Sequence, residues 1–285
     1  MRIFVTGANG QVGSEMPGAF AGHDIISGTR PDFDLTDERS VREAIVASRP
    51  DLVIHAGAYT DVDGCERDPY RAYQTNALGT RFVALAARDL GAPIVVISTD
   101  YVFDGTKGAP YYEWDEPRPL SVYGQSKLAG EREALSVHHQ CYVARTSWVY
   151  SPRGRNFVNT MLRLGAQPRE ITVVDDEFGG PTLAKDLACA IASLARRQVF
   201  GIYHFSNAGE CSRYELARRA IERAHFPATI RAISTADYLI ANPLPARRPL
   251  RSTLINLAGS TIGIELRPWQ DALDEFINCQ LSKDV

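Results

Sequence analysis

Arg2-Ile3-Phe4-Val5-Thr6-Gly7-Ala8-Asn9-Gly10-Gln11-Val12-Gly13 sets an apolar run directly against a glycine-rich turn at the head of this 285-residue chain. Ile3 to Val5 read as a short buried strand. Gly7, Gly10 and Gly13 have the spacing G-x-x-G-x-x-G, a variant of the commoner G-x-G-x-x-G dinucleotide fingerprint. A tight turn after a first strand needs a residue free of Cβ, and a backbone that approaches a pyrophosphate closely has no room for side chains. The N-terminus of the next helix would then present unpaired N–H groups to that phosphate. Pro17 falls inside this helix and should end or kink it early.

Outward from this turn, strand and helix patterns alternate. Apolar runs at 3–5, 25–26, 52–54 and 94–97 read as buried strands of a parallel sheet, and Cys141 to Arg145 as the next. Helical stretches lie between them near 37–49, 69–89 and 120–136, with Asp68-Pro69 as a helix start. The alternation predicts an α/β fold with a doubly wound parallel Rossmann sheet. After residue 150 the pattern loosens. Helices are expected over Arg153 to Leu164 and Leu183 to Arg197, a strand over Ile202 to Phe205, and a capping box at Ser212-Arg213-Tyr214-Glu215. Asn242 to Pro249 reads as a proline-rich basic loop, and Pro268 to Cys279 as the last helix. Residues 1–150 are thus expected to bind NAD(P). Residues 151–285 form a smaller C-terminal α/β region, mainly substrate-binding, with some segments returning to the Rossmann core.

The second strand, His23 to Gly28, ends about twenty residues after the turn, where an NAD-selective site carries an acidic residue for the ribose 2′-hydroxyl. Thr29 and Arg30 stand there instead. A guanidinium suits a 2′-phosphate through paired, charge-assisted hydrogen bonds, which favours NADPH, with NADH still possible. Asp34 and Leu35 follow, where the adenine edge would rest.

Charged residues make up 23% and hydrophobic ones 45%, ordinary for a globular chain long enough to bury a large core. A net charge of −3 argues against a nucleic-acid or anionic-membrane partner. Cys65, Cys141, Cys189, Cys211 and Cys279 are scattered, with no C-x-x-C, so neither a metal knuckle nor a disulfide framework is indicated. No apolar run is long enough to span a bilayer, and the chain enters its first strand with no room for a signal peptide. A cytoplasmic location fits these features.

Tyr123 and Lys127 are four residues apart, one face of a helix, with Ser98-Thr99-Asp100 upstream at the end of the fourth strand. Together they suit hydride transfer to a carbonyl. Tyr123 would donate the proton, a fixed Lys127 ammonium would lower the phenol's pKa and bond the nicotinamide ribose, and Thr99 would bond the substrate oxygen. This chemistry needs no metal.

The glycine turn, Ser98-Thr99-Asp100-Tyr101-Val102-Phe103 and Tyr123-x-x-x-Lys127 resemble the extended short-chain dehydrogenase/reductase superfamily, and within it the dTDP-4-dehydrorhamnose reductase family. Ala56 to Asp63, Tyr123 to Glu131, Arg145 to Tyr150, Phe178 to Thr182, Arg248-Pro249 and Trp269 extend the likeness over essentially the whole chain. It implies NADPH-dependent reduction of the 4-keto group of a dTDP-linked 6-deoxyhexose, giving dTDP-L-rhamnose or a C4 epimer. By position, Thr99, Tyr123 and Lys127 would be catalytic. Gly10, Gln11 and Val12 would hold the pyrophosphate, Asn9 would also bind the cofactor, and Gly57, Ala58 and Tyr59 would line the cofactor cleft. Asp100, Tyr101, Trp148 and Asn156 would meet the sugar, and Arg248 the substrate diphosphate. Lys185 replaces an acidic residue that serves a metal-bridged dimer contact in some relatives, so no magnesium site is expected despite Glu15, although a homodimer stays possible. Sugar-nucleotide dehydratases need a second carboxylate after the threonine, and Tyr101 stands there. A 4-epimerase uses the same trio with tightly held NAD. The regulatory β subunit of methionine adenosyltransferase also resembles these reductases, but NADP binding alone would not require a proton donor.

Overall fold

The computed structural model describes residues 1–29 and 33–282. Arg30, the residue expected to choose the cofactor's 2′-phosphate, lies outside the described residues. Five strands arise in sequence order: β1 (Arg2–Thr6), β2 (Asp24–Gly28), β3 (Leu52–His55), β4 (Ile94–Thr99) and β5 (Cys141–Thr146). With the strand Gly201–His204 they form one six-stranded sheet, running from that strand through β5, β4, β3 and β1 to β2, every pairing parallel. The chain leaves β1 towards β2 and then returns to β3 on the other side of β1. That reversal opens a crevice at the carboxyl ends of β1 and β3, where open α/β sheets collect ligands.

Successive side chains of a strand point to opposite faces, and both faces are covered. Ile3, Val5, Leu52, Ile54 and Ala144 pack on Met16, Phe20 and the helix Ala184–Leu194. Phe4, Val53, Ile94, Val96 and Val143 pack on the helices of the other layer. The helices before β5 are α1 (Met16–Ala19), α2 (Glu38–Ser48), α3 (Val62–Arg67), α4 (Pro69–Tyr73), α5 (Gly79–Asp89) and α6 (Val122–Val137). The expected single helix over 69–89 is instead α4, a π-helical turn Gln74–Leu78 and α5. Its start is as expected, with Asp68 accepting from Arg71 N–H and Pro69 in the first turn.

The first helix ends early, as expected, but not by interruption of its interior. The glycine turn runs into a 3₁₀ turn, Gly13–Glu15, and then into the four-residue α1, where Pro17 sits in the first turn. Proline is tolerated there, so it does not break a helix interior. Beyond β5, the helix expected from Arg153 begins only at Phe157, since Gly154 takes φ +75° and Asn156 caps the start. The capping box at Ser212 and Glu215 forms in full. A parallel pair, Glu170–Val174 with Thr229–Ile233, escaped the sequence reading. It packs with the helices Phe157–Gly165 and Arg213–Arg223 into a second core.

Candidate active site

The carboxyl ends of β1 to β5 empty into one cleft of about 1090 Å³. Gly7, Asn9, Gly10, Gln11 and Val12 reach it from β1, Gly57, Ala58 and Tyr59 from β3, and Thr99, Asp100 and Tyr101 from β4. Tyr123 and Lys127 enter from α6, Trp148 from beyond β5, and Leu35 and Thr29 from the loop after β2. The volume exceeds the roughly 300–1,000 Å³ of a one-ligand pocket, leaving room for two molecules side by side.

Close packing demands the glycines of the turn. Gly7 has φ +64°, and a Cβ there would stand 2.7 Å from Gly57 Cα. A Cβ at Gly13 would collide with the Gly7 carbonyl, so Gly13 packs behind the turn and does not line the cleft. Gly7 and Gly57 are held together from below by a buried polar chain. Thr6 Oγ1 accepts from Gly57 N–H at 3.0 Å and lies 2.8 Å from His55 Nδ1, while His55 Nε2 lies 3.0 Å from Thr80 Oγ1. Thr80 donates its own proton to the Asn76 carbonyl. Nε2 must therefore donate to Thr80, which in a neutral ring leaves Nδ1 to accept from Thr6. Burial favours that neutral imidazole, pulling its pKa down to about 3, with Lys127 adding to the fall.

Ser121 caps α6 by accepting from Gly124 N–H. Gly124 lets the helix press on the main chain of Tyr101, where a Cβ would clash with the carbonyl oxygen. This docking delivers Tyr123 and Lys127 beside Thr99. Lys127 is buried and donates to the Ile97 carbonyl at 2.8 Å. Burial lowers its pKa to about 8, and Glu131 resists the fall. Tyr123 forms cleft wall and is only partly covered by surface area, yet its hydroxyl is desolvated enough to raise its pKa above the ordinary phenol value. A hydrogen bond with Thr99 opposes this rise, and Asp100 and Tyr101 add to it. The expected lowering by Lys127 is thus overturned: desolvation dominates, and the lysine is engaged with a carbonyl. Thr99 Oγ1 donates to Asp100 Oδ1 at 3.1 Å and accepts from Tyr101 N–H. Burial lifts the Asp100 carboxyl to about 6, against hydrogen bonds from Ser252 and Thr99.

Trp148 adopts φ +45°, a left-handed conformation that costs a bulky residue roughly 1–2 kcal/mol. Its indole packs on Gly179, where a Cβ would lie 2.5 Å from the ring, and the Arg213 guanidinium sits 3.5 Å from the ring centroid. Arg213 also acts electrostatically on Asp100 and Tyr101. It lines the cleft and was missed as a site residue, although the capping box had marked its helix start. Asn76 was missed too. Turned inward by the π-helical segment, it brackets Tyr59 by accepting from its N–H and donating to its carbonyl.

Besides Gly13, three expected contacts stand outside the cleft lining. Asn156 caps its helix and donates to Gln11 Oε1 at 2.9 Å, so it reaches the site through Gln11. Arg248 pairs with Asp63 at 2.9 Å. Asp34 accepts from Thr36 N–H and Oγ1 in a turn. Lys185 pairs with Glu275 on the surface.

A doubly wound parallel sheet, a glycine turn at its switch point and a Tyr/Lys pair beside a strand-end threonine define a dinucleotide-binding protein of the short-chain dehydrogenase/reductase class. Comparison with known proteins narrows this. The family model described as RmlD substrate binding domain matches residues 1–281, and the chain belongs to that family. It is 40% identical to the dTDP-4-dehydrorhamnose reductase of Sinorhizobium fredii over 97% of both chains. It is also 40% identical to the spore coat polysaccharide biosynthesis protein SpsK of Bacillus subtilis, over 97% of this chain and 96% of that one. The crystal structure of dTDP-4-dehydrorhamnose reductase from Bacillus anthracis in complex with NADP superposes with a TM-score of 0.93 at 37% identity, covering 96% of this chain and 98% of the other.

Proposed function

We propose that the protein reduces the 4-keto group of a dTDP-4-dehydro-6-deoxy-L-hexose with NADPH, yielding dTDP-L-rhamnose or its C4 epimer. The observation that carries this reading is the convergence of Thr99, Tyr123 and Lys127 on a cleft floored by the glycine-rich turn. The relatives named as dTDP-4-dehydrorhamnose reductases, one of them solved with NADP, support the substrate and the cofactor. The turn fits a dinucleotide: Gly7 takes the left-handed φ of a tight turn and packs directly on the Gly57 backbone, so the main chain of both segments lines the cleft. Gly10, Gln11 and Val12 would hold the pyrophosphate and Gly57 to Tyr59 the adjoining face. Bound NADPH supplies a hydride to C4.

The residues of the chain manage the resulting charge. Tyr123, its pKa raised, keeps its proton at neutral pH and yields it to the C4 oxygen as negative charge develops there. Thr99 turns its hydroxyl from Asp100 to the same oxygen. Lys127 would supply a positive charge near both and would bond the nicotinamide ribose. Trp148 and Arg213 wall the sugar side. Residues 1–150 would then serve mainly the cofactor and later ones mainly the sugar nucleotide, in a cytoplasmic enzyme that can act as a homodimer. Purified protein given enzymatically generated dTDP-4-dehydro-L-rhamnose should consume NADPH. NADPH binding without consumption would instead favour another nucleotide-sugar or a regulatory role.

A further inference from the structure

Glu131 and Arg145 are sealed together behind the Tyr/Lys wall of the cleft, each side chain 2% exposed. Arg145 Nε donates to Glu131 Oε1 at 3.0 Å and Nη2 to Oε2 at 2.7 Å, and Ser98 donates to Oε1. The two strands supply this grip in register, since Ser98 of β4 stands opposite Arg145 of β5. A buried ion pair is weak evidence for stability, because well-packed apolar residues often serve as well. This one carries an added cost: among the described residues Arg145 Nη1 has no hydrogen-bond partner. Its position suggests its use. Glu131 is one helical turn after Lys127 on α6, a spacing that leaves Cβ atoms about 5–6 Å apart. Lys127 reaches the carbonyl of Ile97, the residue next to Ser98.

We propose that Glu131 is a positioning residue for Lys127: fixed by Arg145 and Ser98, its carboxylate keeps the neighbouring ammonium charged and docked against the end of β4. The other titratable groups around the pair do not supply this anion. Burial keeps His55 on β3 and His204 beside Arg145 neutral, Arg145 on β5 is a cation, and burial keeps the Cys141 thiol protonated. The inference rests on Lys127 being a site residue, but its test does not depend on turnover.

The chain has only four lysines, Lys107, Lys127, Lys185 and Lys283, so [¹³Cε]lysine NMR resolves the titration directly, with Lys127→Arg assigning the resonance. Lys127 should titrate near 8 in the native protein and at least about one pH unit lower in Glu131→Gln. Because Glu131→Gln leaves a buried guanidinium unpaired and could fail to fold, Glu131→Gln/Arg145→Met is measured beside it. A lowered Lys127 titration in the folded double variant supports the proposal. A native value there means that the pair is structural only and overturns it, even if the single variant shifts.

Discussion

His55 gives the sharpest quantitative test of how the cleft floor is built. Its tautomer is dictated by Thr6 and Thr80, and its folded pKa lies near 3, against about 6.5 in an unfolded chain. The folded value is the depressed one. Its contribution to stability is therefore complete above about pH 6.5 and is lost as pH falls towards about 3. At about pH 4.5 the unfolded imidazole is charged and the folded one is not, a gap of about two pH units worth about 2.7 kcal/mol. Other groups titrate in the same window, including buried His204 with its pKa near 3 and Asp100 with the opposite sign. They cancel when the protein is compared with His55→Gln. Urea denaturation of both proteins at about pH 7.5 and about pH 4.5 should show the native protein's advantage shrinking by about 2–3 kcal/mol at the lower pH. An advantage that does not change with pH would refute the neutral, fully desolvated imidazole.

Tyr123→Phe should cut turnover roughly 10²–10⁴-fold while leaving NADPH affinity within about twofold, by stopped-flow kinetics and fluorescence titration. Native-like turnover would remove the tyrosine as proton donor. Gly7→Ala must adopt a left-handed conformation and push its Cβ into Gly57, so it should lose about 2–5 kcal/mol of stability together with NADPH binding. Retention of both would mean that the turn is not a tight cradle. Arg213→Ala should raise the KM for the sugar nucleotide about tenfold or more with the NADPH Kd unchanged, if its cation meets the substrate. A change in NADPH affinity alone would assign Arg213 to the wrong ligand.

The sheet and its cleft were legible in the sequence because buried parallel strands are short apolar runs, and the glycine turn follows the first of them without a break. Thr99, Tyr123 and Lys127 were legible because their spacing matches a strand end and one helix face. The order of Tyr123, Lys127 and Glu131 on that face was equally visible, but the partner that gives Glu131 its meaning, Arg145, comes from a different strand. Tertiary pairing decided the other differences as well. Arg248 found Asp63, and Asn156 found Gln11, at sequence separations that no local pattern reports. The strands Glu170–Val174 and Thr229–Ile233 went unread, and the second of them is largely exposed at the edge of a two-stranded sheet. The Tyr123 phenol was misjudged because spacing conveys proximity but not desolvation.

Hydride destination tests the central claim most directly. The protein is incubated with NADPH deuterated at the transferring position and dTDP-4-dehydro-L-rhamnose, and the sugar product is read by NMR. Reduction at C4 by bound NADPH that leaves as NADP predicts deuterium at C4 of the product and one NADP formed per sugar reduced. A product without deuterium at C4, or sugar conversion without net NADPH consumption, would contradict it.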